Sequence, residues 1–306
     1  MDIIQPLQID DTTLTSSTVA ENDATEWTSG ATFDAGEECM VTTTANGASV
    51  ATHKIYESKS TGNTGNDPTT DTDEVYWEEV GSTNRYKMFD AVVQGQTTKT
   101  DGFEVELSPS GYVTGIGFLN LDASSIDILI ESGTETVLDE NYPLVQYSGV
   151  DSWYDYFFLP LERSTSLVVT DLPPILGVDI TITFNGSGTV GCGICAIGQI
   201  STLGVSLYGP NFSIIDYSTK TQSLETGRAI ISQGPYRDVA DVPVLVYDSD
   251  FTMVKRKLTE VRGTPVVWIP DPGRDGTIIY GFYDRFDLLL SNPGSSELVI
   301  RIEGLV

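Results

Sequence analysis

Two cysteines three residues apart give this sequence its most recognisable reactive spacing. Cys192-Gly-Ile-Cys195 has the C-x-x-C spacing found in thiol redox sites and in zinc sites. A redox site needs the first cysteine at the start of a helix, where the pKa of its thiol is lowered, but the flanking residues are typical of a strand. Residues three apart on a strand point to opposite faces, and Cys39 and His53 are distant in the sequence. We therefore predict two buried strand residues and no metal site.

The other reactive side chains form no recognisable catalytic set. His53 is the only histidine, so no site can use two imidazoles from this chain. No G-x-S-x-G, Walker or H-E-x-x-H motif occurs. Among 44 acidic residues, any two carboxylates could imitate a glycosidase pair. We predict that the chain is not an enzyme and uses no cofactor, and hydrolysis of a polysaccharide is the catalytic alternative.

An acidic loop at residues 66–74 offers oxygen ligands of the kind that calcium prefers. Its spacing does not match that of an EF-hand loop, which requires Gly at the sixth position. The main expectation is a solvated turn, and a calcium site is the alternative.

The charge balance excludes several classes of partner. The 306 residues include 16 Lys and Arg against 44 Asp and Glu, which gives a formal charge of −28. Such a surface repels nucleic-acid phosphates and anionic membranes. No apolar run reaches the roughly 18 residues of a transmembrane helix, and the start Met1-Asp-Ile-Ile lacks the features of a secretory signal. We expect a soluble protein made in a cytoplasm, where excess charge keeps free subunits apart.

Alternation of apolar and polar residues predicts a mainly β fold. The alternation is clearest at residues 103–107, 126–130 and 178–184, with glycine- and serine-rich turns between the runs. Several short strands at this spacing are typical of an antiparallel β-sandwich. The predicted units are an N-terminal arm (1–24), a small β module (25–95), the β-sandwich (96–200) and a C-terminal α+β assembly domain (201–306).

The arm and the C-terminal unit both contain candidate contact surfaces. The apolar start of the arm favours docking on a neighbour, and a frayed terminus is the alternative. Apolar residues from Phe251 to Val261 recur at helical spacing and predict one helix. Its basic residues form either a solvated face paired with nearby carboxylates or a contact surface for an acidic neighbouring subunit. These basic residues are Lys255, Arg256, Lys257 and Arg262.

Four aromatic residues of the small module have two alternative uses. A sugar packs its C–H face on an aromatic ring, while His53 or Asn66 could bond its hydroxyls. Alternatively, the two tryptophans form the core of a unit that is too small to have another one. The residues alone leave both uses open. The four candidates are Trp27, Tyr56, Tyr76 and Trp77.

The order of these aromatic residues resembles the carbohydrate-binding modules of families 5 and 12, which are small chitin-binding domains. The runs that carry the resemblance are Glu26-Trp27-Thr-Ser-Gly-Ala-Thr-Phe33, Lys54-Ile-Tyr56, Gly62-Asn-Thr-Gly-Asn-Asp-Pro68 and Tyr76-Trp77. Phe33 stands where that family has Tyr, and residues 42–52 are longer than its usual hairpin. The resemblance implies a small β domain with a capacity to bind glycans.

Segments outside the module resemble tail-associated proteins of phages and prophages. They include Asp2-Ile-Ile-Gln-Pro-Leu, Gly81-Ser-Thr-Asn-Arg85-Tyr-Lys-Met-Phe89, Trp153-Tyr-Asp-Tyr-Phe157-Phe and Gly263-Thr-Pro-Val-Val-Trp268. The run from Gly115 to Ile126 is similar to strands of galactose-binding-like and jelly-roll sandwiches. The resemblance implies a structural protein of the virion tail or its connector, whose partners are copies of itself and other tail proteins.

Arg85 and Phe89 lie at the end of the predicted module, where it adjoins the next predicted folded unit. We expect Arg85 to bond across that junction, and we expect both residues to serve interdomain or assembly contacts. The alternative function is recognition or decoration of a host surface through its carbohydrates.

Overall fold

The structure is a computed structural model that describes residues 1–146, 152–158, 162–222, 229–274, 276–292 and 294–306. It is mainly β, as the alternation predicts. The described residues form 26 strands and two α-helices. No helix in these ranges has the length and apolar character needed to cross a membrane.

The first half of the chain contains thirteen strands and two short 3-10 helices, at Pro68–Thr70 and Lys87–Phe89. The strands are β1 (Asp2–Pro6), β2 (Leu14–Ser17), β3 (Thr25–Glu26), β4 (Thr32–Phe33), β5 (Glu38–Val41), β6 (Lys54–Ser58), β7 (Asn63–Thr64), β8 (Trp77–Ser82), β9 (Thr97–Thr100), β10 (Phe103–Leu107), β11 (Gly115–Asp122), β12 (Ser125–Ser132) and β13 (Glu135–Pro143).

The second half contains the two α-helices, α1 (Trp153–Phe158) and α2 (Phe251–Glu260). Its strands are β14 (Val145–Gln146), β15 (Glu162–Arg163), β16 (Ser166–Val169), β17 (Asp179–Asn185), β18 (Thr189–Thr202), β19 (Val205–Ser206), β20 (Asn211–Asp216), β21 (Thr219–Gln222), β22 (Ala229–Ser232), β23 (Tyr236–Tyr247), β24 (Val266–Ile269), β25 (Ile279–Asn292) and β26 (Ser295–Gly304).

One 11-stranded sheet runs through most of the molecule. Its strand order is β16-β11-β18-β1-β24-β25-β26-β23-β19, with β9 paired to β18 and β20 paired to β23. The predicted boundary at residue 200 falls inside β18, so the units 96–200 and 201–306 are not separate domains. They share one sheet because β18 is long enough to pair with β11, β9 and β1.

The N-terminal strand β1 lies in the middle of this sheet, antiparallel to both β18 and β24. Ile3 and Ile4 are fully buried, and the Met1 ammonium donates to the Gly204 carbonyl at 2.7 Å. The expectation of an arm that docks on a neighbour is therefore wrong. The apolar start of the chain fills a gap between two edges of its own sheet, which would otherwise leave unpaired backbone groups.

A second sheet packs against the first and forms the predicted sandwich. Its order is β13-β12-β17-β10-β2, so residues 14–17 of the predicted arm belong to it. The shared core includes Phe103, Phe118 and Phe184, which stack or pack edge-on with centroids 4.5 and 5.7 Å apart. The alternation at residues 178–184 is confirmed, because Ile180 and its i+2 neighbours face this core and the residues between do not.

Helix α2 covers the other half of the same face of the large sheet, and the predicted helix is confirmed. Val254 and Leu258 are fully buried on it, with Ile3 and Trp268 in the same core cluster. Because neighbours on a strand point to opposite faces, Ile4 belongs to a third cluster on the far side of the sheet. Strand β1 thus contributes to the cores on both faces.

The small module has a four-stranded sheet, β3-β5-β6-β8, and a two-stranded ribbon, β4-β7. Its core is a single small cluster around Trp27, Phe33, Tyr56 and Trp77, with Cys39 and Val41. Burial raises the pKa of the Cys39 thiol to about 12, so this cysteine is a packing residue.

Cys192 and Cys195 are buried on β18, as predicted, and are free thiols. Both nevertheless belong to the sandwich core, although residues three apart were expected on opposite faces. Asn120 lies opposite this stretch on β11 and has a left-handed backbone, with φ of 51°. This local irregularity interrupts the alternation of side chains between the two faces, so both cysteines can face the same core. Burial raises the pKa of both thiols, so neither is a nucleophile at neutral pH.

Gly198 is the position where three strands come closest. It pairs with Pro6 of β1 and with Gly115 of β11, and a Cβ atom on it would lie 1.9 Å from the Gln5 carbonyl oxygen. We predict that Gly198→Ala lowers the free energy of unfolding by about 3 kcal/mol, because β1 must move away from β18. Urea denaturation measures the change.

The matched control for this substitution is Gly30→Ala, since a Cβ atom there has no neighbour within 4 Å. The urea concentration at the midpoint of unfolding of Gly30→Ala should stay close to that of the wild type. Equal midpoints for Gly198→Ala and the wild type would contradict the central position of β1.

Candidate functional site

Three of the four candidate sugar-stacking residues lie in the core of the module. Trp27 and Trp77 are each 2 % exposed and Tyr56 is 6 % exposed. The Phe33 ring packs edge-on against Trp77 at 5.3 Å, and Trp77 Nε1 donates to the Asn66 carbonyl at 3.0 Å. These rings are nearly enclosed, because so small a unit needs its largest side chains inside. Tyr56 and Trp77 still line a surface cleft of about 200 Å³, together with Asp71, Glu74 and Glu79. Tyr76 differs, with 42 % of its surface exposed.

The acidic loop beside Tyr76 is organised by its own backbone. Asp71 accepts hydrogen bonds from the backbone N–H groups of Val75, Tyr76 and Trp77 at 2.7–3.1 Å. Asp67 caps the short 3-10 helix by accepting from Thr69 N. Burial alone would raise the pKa of Asp71, but these hydrogen bonds hold it below its ordinary 3.8. Within the described ranges, no group of three or more His, Cys, Asp and Glu side chains is placed to hold a metal ion.

The junction between the module and the sandwich is built around one carboxylate, Glu21, whose side chain is 8 % exposed. His53 Nδ1 lies 2.8 Å from Glu21 Oε1, Thr83 Oγ1 donates to the same oxygen at 2.7 Å, and Arg85 Nη1 lies 3.2 Å from Oε2. Burial by itself raises the pKa of Glu21, but these partners outweigh it and the net pKa is lowered. Glu21 is therefore ionised and holds two module residues and Arg85 together.

His53 connects the same junction to a second carboxylate. Its Nε2 lies 2.7 Å from Asp11 Oδ1, in ion-pair contact but without the direction of a hydrogen bond. Tyr86 stacks on the imidazole at 4.1 Å and donates its hydroxyl to Asp11 at 2.7 Å. Carboxylates only accept hydrogen bonds, so Asp11 and Glu21 both favour the protonated form of the ring between them. Burial lowers the pKa of His53, but the two carboxylates outweigh it, and the net pKa lies above the ordinary 6.5.

Arg85 and Phe89 both belong to this junction. Arg85 Nε donates to the Val19 carbonyl at 2.9 Å, so its contacts reach the N-terminal segment that leads into the module. Phe89 packs against the sandwich core and meets Tyr86 edge-on at 6.4 Å. The sequence indicated Arg85 as a junction residue. It did not indicate His53 or Glu21, because their proximity depends on the path of residues 1–24.

The basic residues of α2 divide into two groups. Lys257 is mostly buried, and its ammonium donates to Gln5 Oε1 at 2.8 Å and lies 3.4 Å from Glu260. It therefore holds the helix against β1. The other three are exposed and form no ion pair with any residue that the structure describes. They are Lys255, Arg256 and Arg262.

Helix α1, which the residue pattern did not predict, presents an aromatic face. Trp153 stacks on Phe157 at 6.4 Å between centroids, and Tyr154 packs against Phe158 at 4.8 Å. The four rings are 68–80 % exposed. At 3.6 residues per turn, these four positions span an arc of about 140°, so they form one face of the helix.

Strand β20 is a second exposed apolar feature. It pairs with β23 at one side, and its residues are mostly exposed, including Phe212 and Ile214. Tyr208, just before this strand, is 99 % exposed. An edge strand with apolar side chains is a template for contact with another chain.

No protein-family model, curated protein or solved structure matches this chain.

The raised pKa of His53 predicts a pH-dependent junction. Its folded pKa lies above 6.5, so its contribution to stability is complete below 6.5 and is lost as pH rises through the folded value. The contribution of Glu21, whose pKa is lowered, is lost as pH falls through its folded value. We predict that the difference in melting temperature between wild type and His53→Asn is largest just below pH 6.5 and shrinks at alkaline pH.

Asparagine is the matched substitution because His53 has a left-handed backbone, with φ of 54°, which Asn tolerates. Calorimetry across this pH range gives both melting temperatures. A difference that does not change with pH would show that the charge on His53 does not hold the junction.

Arg85 provides a second test of the junction. We predict that Arg85→Ala lowers the free energy of unfolding by about 2 kcal/mol, because Glu21 and the Val19 carbonyl each lose a donor. The control is Arg285→Ala, whose ion pair with Asp287 is exposed and should contribute at most about 1 kcal/mol. Denaturant titrations compare the variants, and equal effects would refute the junction role of Arg85.

Proposed function

We propose that this protein is an architectural subunit of a phage tail or its connector region, which assembles with copies of itself and with other tail proteins. The observation that carries the proposal is the exposed aromatic face of α1, formed by Trp153, Tyr154, Phe157 and Phe158. It would be made in the host cytoplasm and would end in the virion. The position in a virion tail is supported by the sequence resemblance, and assembly by the surfaces described above.

The aromatic face of α1 has the composition of an interface core. Each aromatic side chain contributes about 150–250 Å² when buried. Four rings on one face therefore form an apolar patch of several hundred Å², and its exposure to water is unfavourable. Aromatic residues are enriched where protein interfaces are buried. A helix of six residues is also too short to be stable alone, so a covering partner would stabilise it.

Charge supports a second copy as one of the partners. The chain carries a formal charge of −28, yet Lys255, Arg256 and Arg262 form an exposed basic group without an ion pair to any described residue. The acidic surface of another copy could pair with this basic group. Such a contact joins two different surfaces and is therefore head-to-tail. Contacts of that kind generate rings or helical stacks, the arrangements that a tubular tail requires.

Recognition of a host-surface glycan by the module is the second candidate function. Of its four predicted stacking residues, Tyr76 is exposed, while Trp27, Tyr56 and Trp77 belong to the core. The module therefore has more support as a spacer held by its junction than as a sugar platform.

We predict that the double variant Trp153→Ser/Phe157→Ser loses self-assembly. Sedimentation velocity over a range of protein concentrations should show concentration-dependent oligomers for the wild type and a monomer for the variant, since the loss of two aromatic anchors removes most of a small interface. Both side chains are mostly exposed and lie outside the core clusters, so the sandwich should keep its stability.

The matched control is Val75→Ser/Val80→Ser, which removes two exposed apolar side chains from the module and should assemble as the wild type does. A wild-type protein that stays monomeric at every concentration and does not co-sediment with tail particles would refute the proposed function.

A further inference from the structure

A large cleft lies beside the start of β23, next to the cluster that contains Ile4. Its volume is about 610 Å³, which falls in the range of small-molecule sites. The cleft lies between β11 and the start of β23, and apolar residues including Leu119 and Ile278 line it. No motif in the sequence indicates it, because its walls come from distant segments.

One wall of the cleft contains three amide side chains that donate to backbone carbonyls. Asn120 has a left-handed backbone in the middle of β11, and its Nδ2 donates to the Val93 carbonyl at 2.8 Å. Gln96 Nε2 donates to the Asn120 carbonyl at 2.9 Å, and Gln94 Nε2 donates to the Tyr236 carbonyl at 3.2 Å. The amide nitrogens are thus fixed by the protein. The Oε1 atoms of Gln94 and Gln96 accept no hydrogen bond from any residue that the structure describes.

Asp238 contributes a third acceptor to the cleft. Its carboxylate is half-buried and has no hydrogen bond or ion pair within the described ranges, and burial raises its pKa above the ordinary 3.8. A half-buried carboxylate without protein donors is hydrated on its exposed side, so a ligand that covers it must supply donors in place of water. Together with Gln94 and Gln96, it gives the cleft three hydrogen-bond acceptors that receive no hydrogen bond from the described part of the chain.

These acceptors select the chemistry of a ligand. No Lys, Arg or His is among the described lining residues, so an anionic ligand would have no counter-charge. A ligand must instead donate several hydrogen bonds and cover apolar surface. Saccharides do both, because their hydroxyls donate and their C–H faces pack on side chains such as Leu119 and the 52 % exposed ring of Tyr236. A polyamine also donates, and its methylene chain can cover apolar side chains, but it would meet a single carboxylate, Asp238, among the described lining residues.

We propose that this cleft binds a neutral saccharide, with Asp238, Gln94 and Gln96 accepting from its hydroxyls and Tyr236 packing on one face of the ring. The site is separate from the module and from the aromatic face of α1. The inference therefore does not depend on the proposed assembly function.

Saturation-transfer NMR with the methyl glycosides of D-galactose, D-glucose, D-mannose and N-acetyl-D-glucosamine tests the site. At millimolar ligand, the wild type should give transfer to at least one glycoside, and the affinity for that glycoside should fall about tenfold in Asp238→Asn. Tyr236→Ala should weaken binding too. The control is Tyr247→Ala, at the other end of β23, where the ring is equally exposed but lies outside the cleft.

Transfer in the wild type and in Tyr247→Ala, together with loss in Asp238→Asn and Tyr236→Ala, would support the site. Absence of transfer to every glycoside, or equal transfer in Asp238→Asn, would overturn it. Displacement of the glycosides by spermidine with tighter binding would identify a polyamine site and would also overturn it. Sedimentation of Asp238→Asn should match that of the wild type, which separates this result from the test of assembly.

Discussion

The position of β1 between β18 and β24 is the constraint on which the rest of the structure depends. Without this strand, the large sheet would have two facing edges with unpaired backbone groups. Ile3 and Ile4 point to opposite faces, so five residues at the start of the chain close the cores on both sides of the sheet. The first residues of the chain therefore join a sheet whose other strands are formed mostly by its second half.

The same N-terminal segment also positions the small module. After β2 has joined the second sheet, Val19 and Glu21 contact Arg85, and Glu21 contacts His53 and Thr83. A mostly buried carboxylate in a chain of charge −28 needs cationic partners. His53, the only histidine, and Arg85 supply these partners where the units meet.

Two kinds of surface remain after folding. The aromatic face of α1 and the apolar edge strand β20 are suited to protein contacts, because they combine exposed rings or unpaired strand edges with few charges. The cleft beside Asn120 and Asp238 has fixed amides and free acceptors, which suits a small polar ligand. An assembly subunit that also holds a saccharide would need both kinds of surface, and Ile214 of β20 lies where the two adjoin.

The sequence by itself determined the mainly β class, the sandwich strands and helix α2, because these follow from local periodicity of two or 3.6 residues. Tertiary structure alone decided that β1 is central, that the cysteines share one core, that Trp27 and Trp77 are enclosed, and that His53 meets two carboxylates. Each of these depends on which distant strands pair, and on a local exception such as the backbone of Asn120. Strand pairing is non-local, so the spacing of residues along the chain does not contain it.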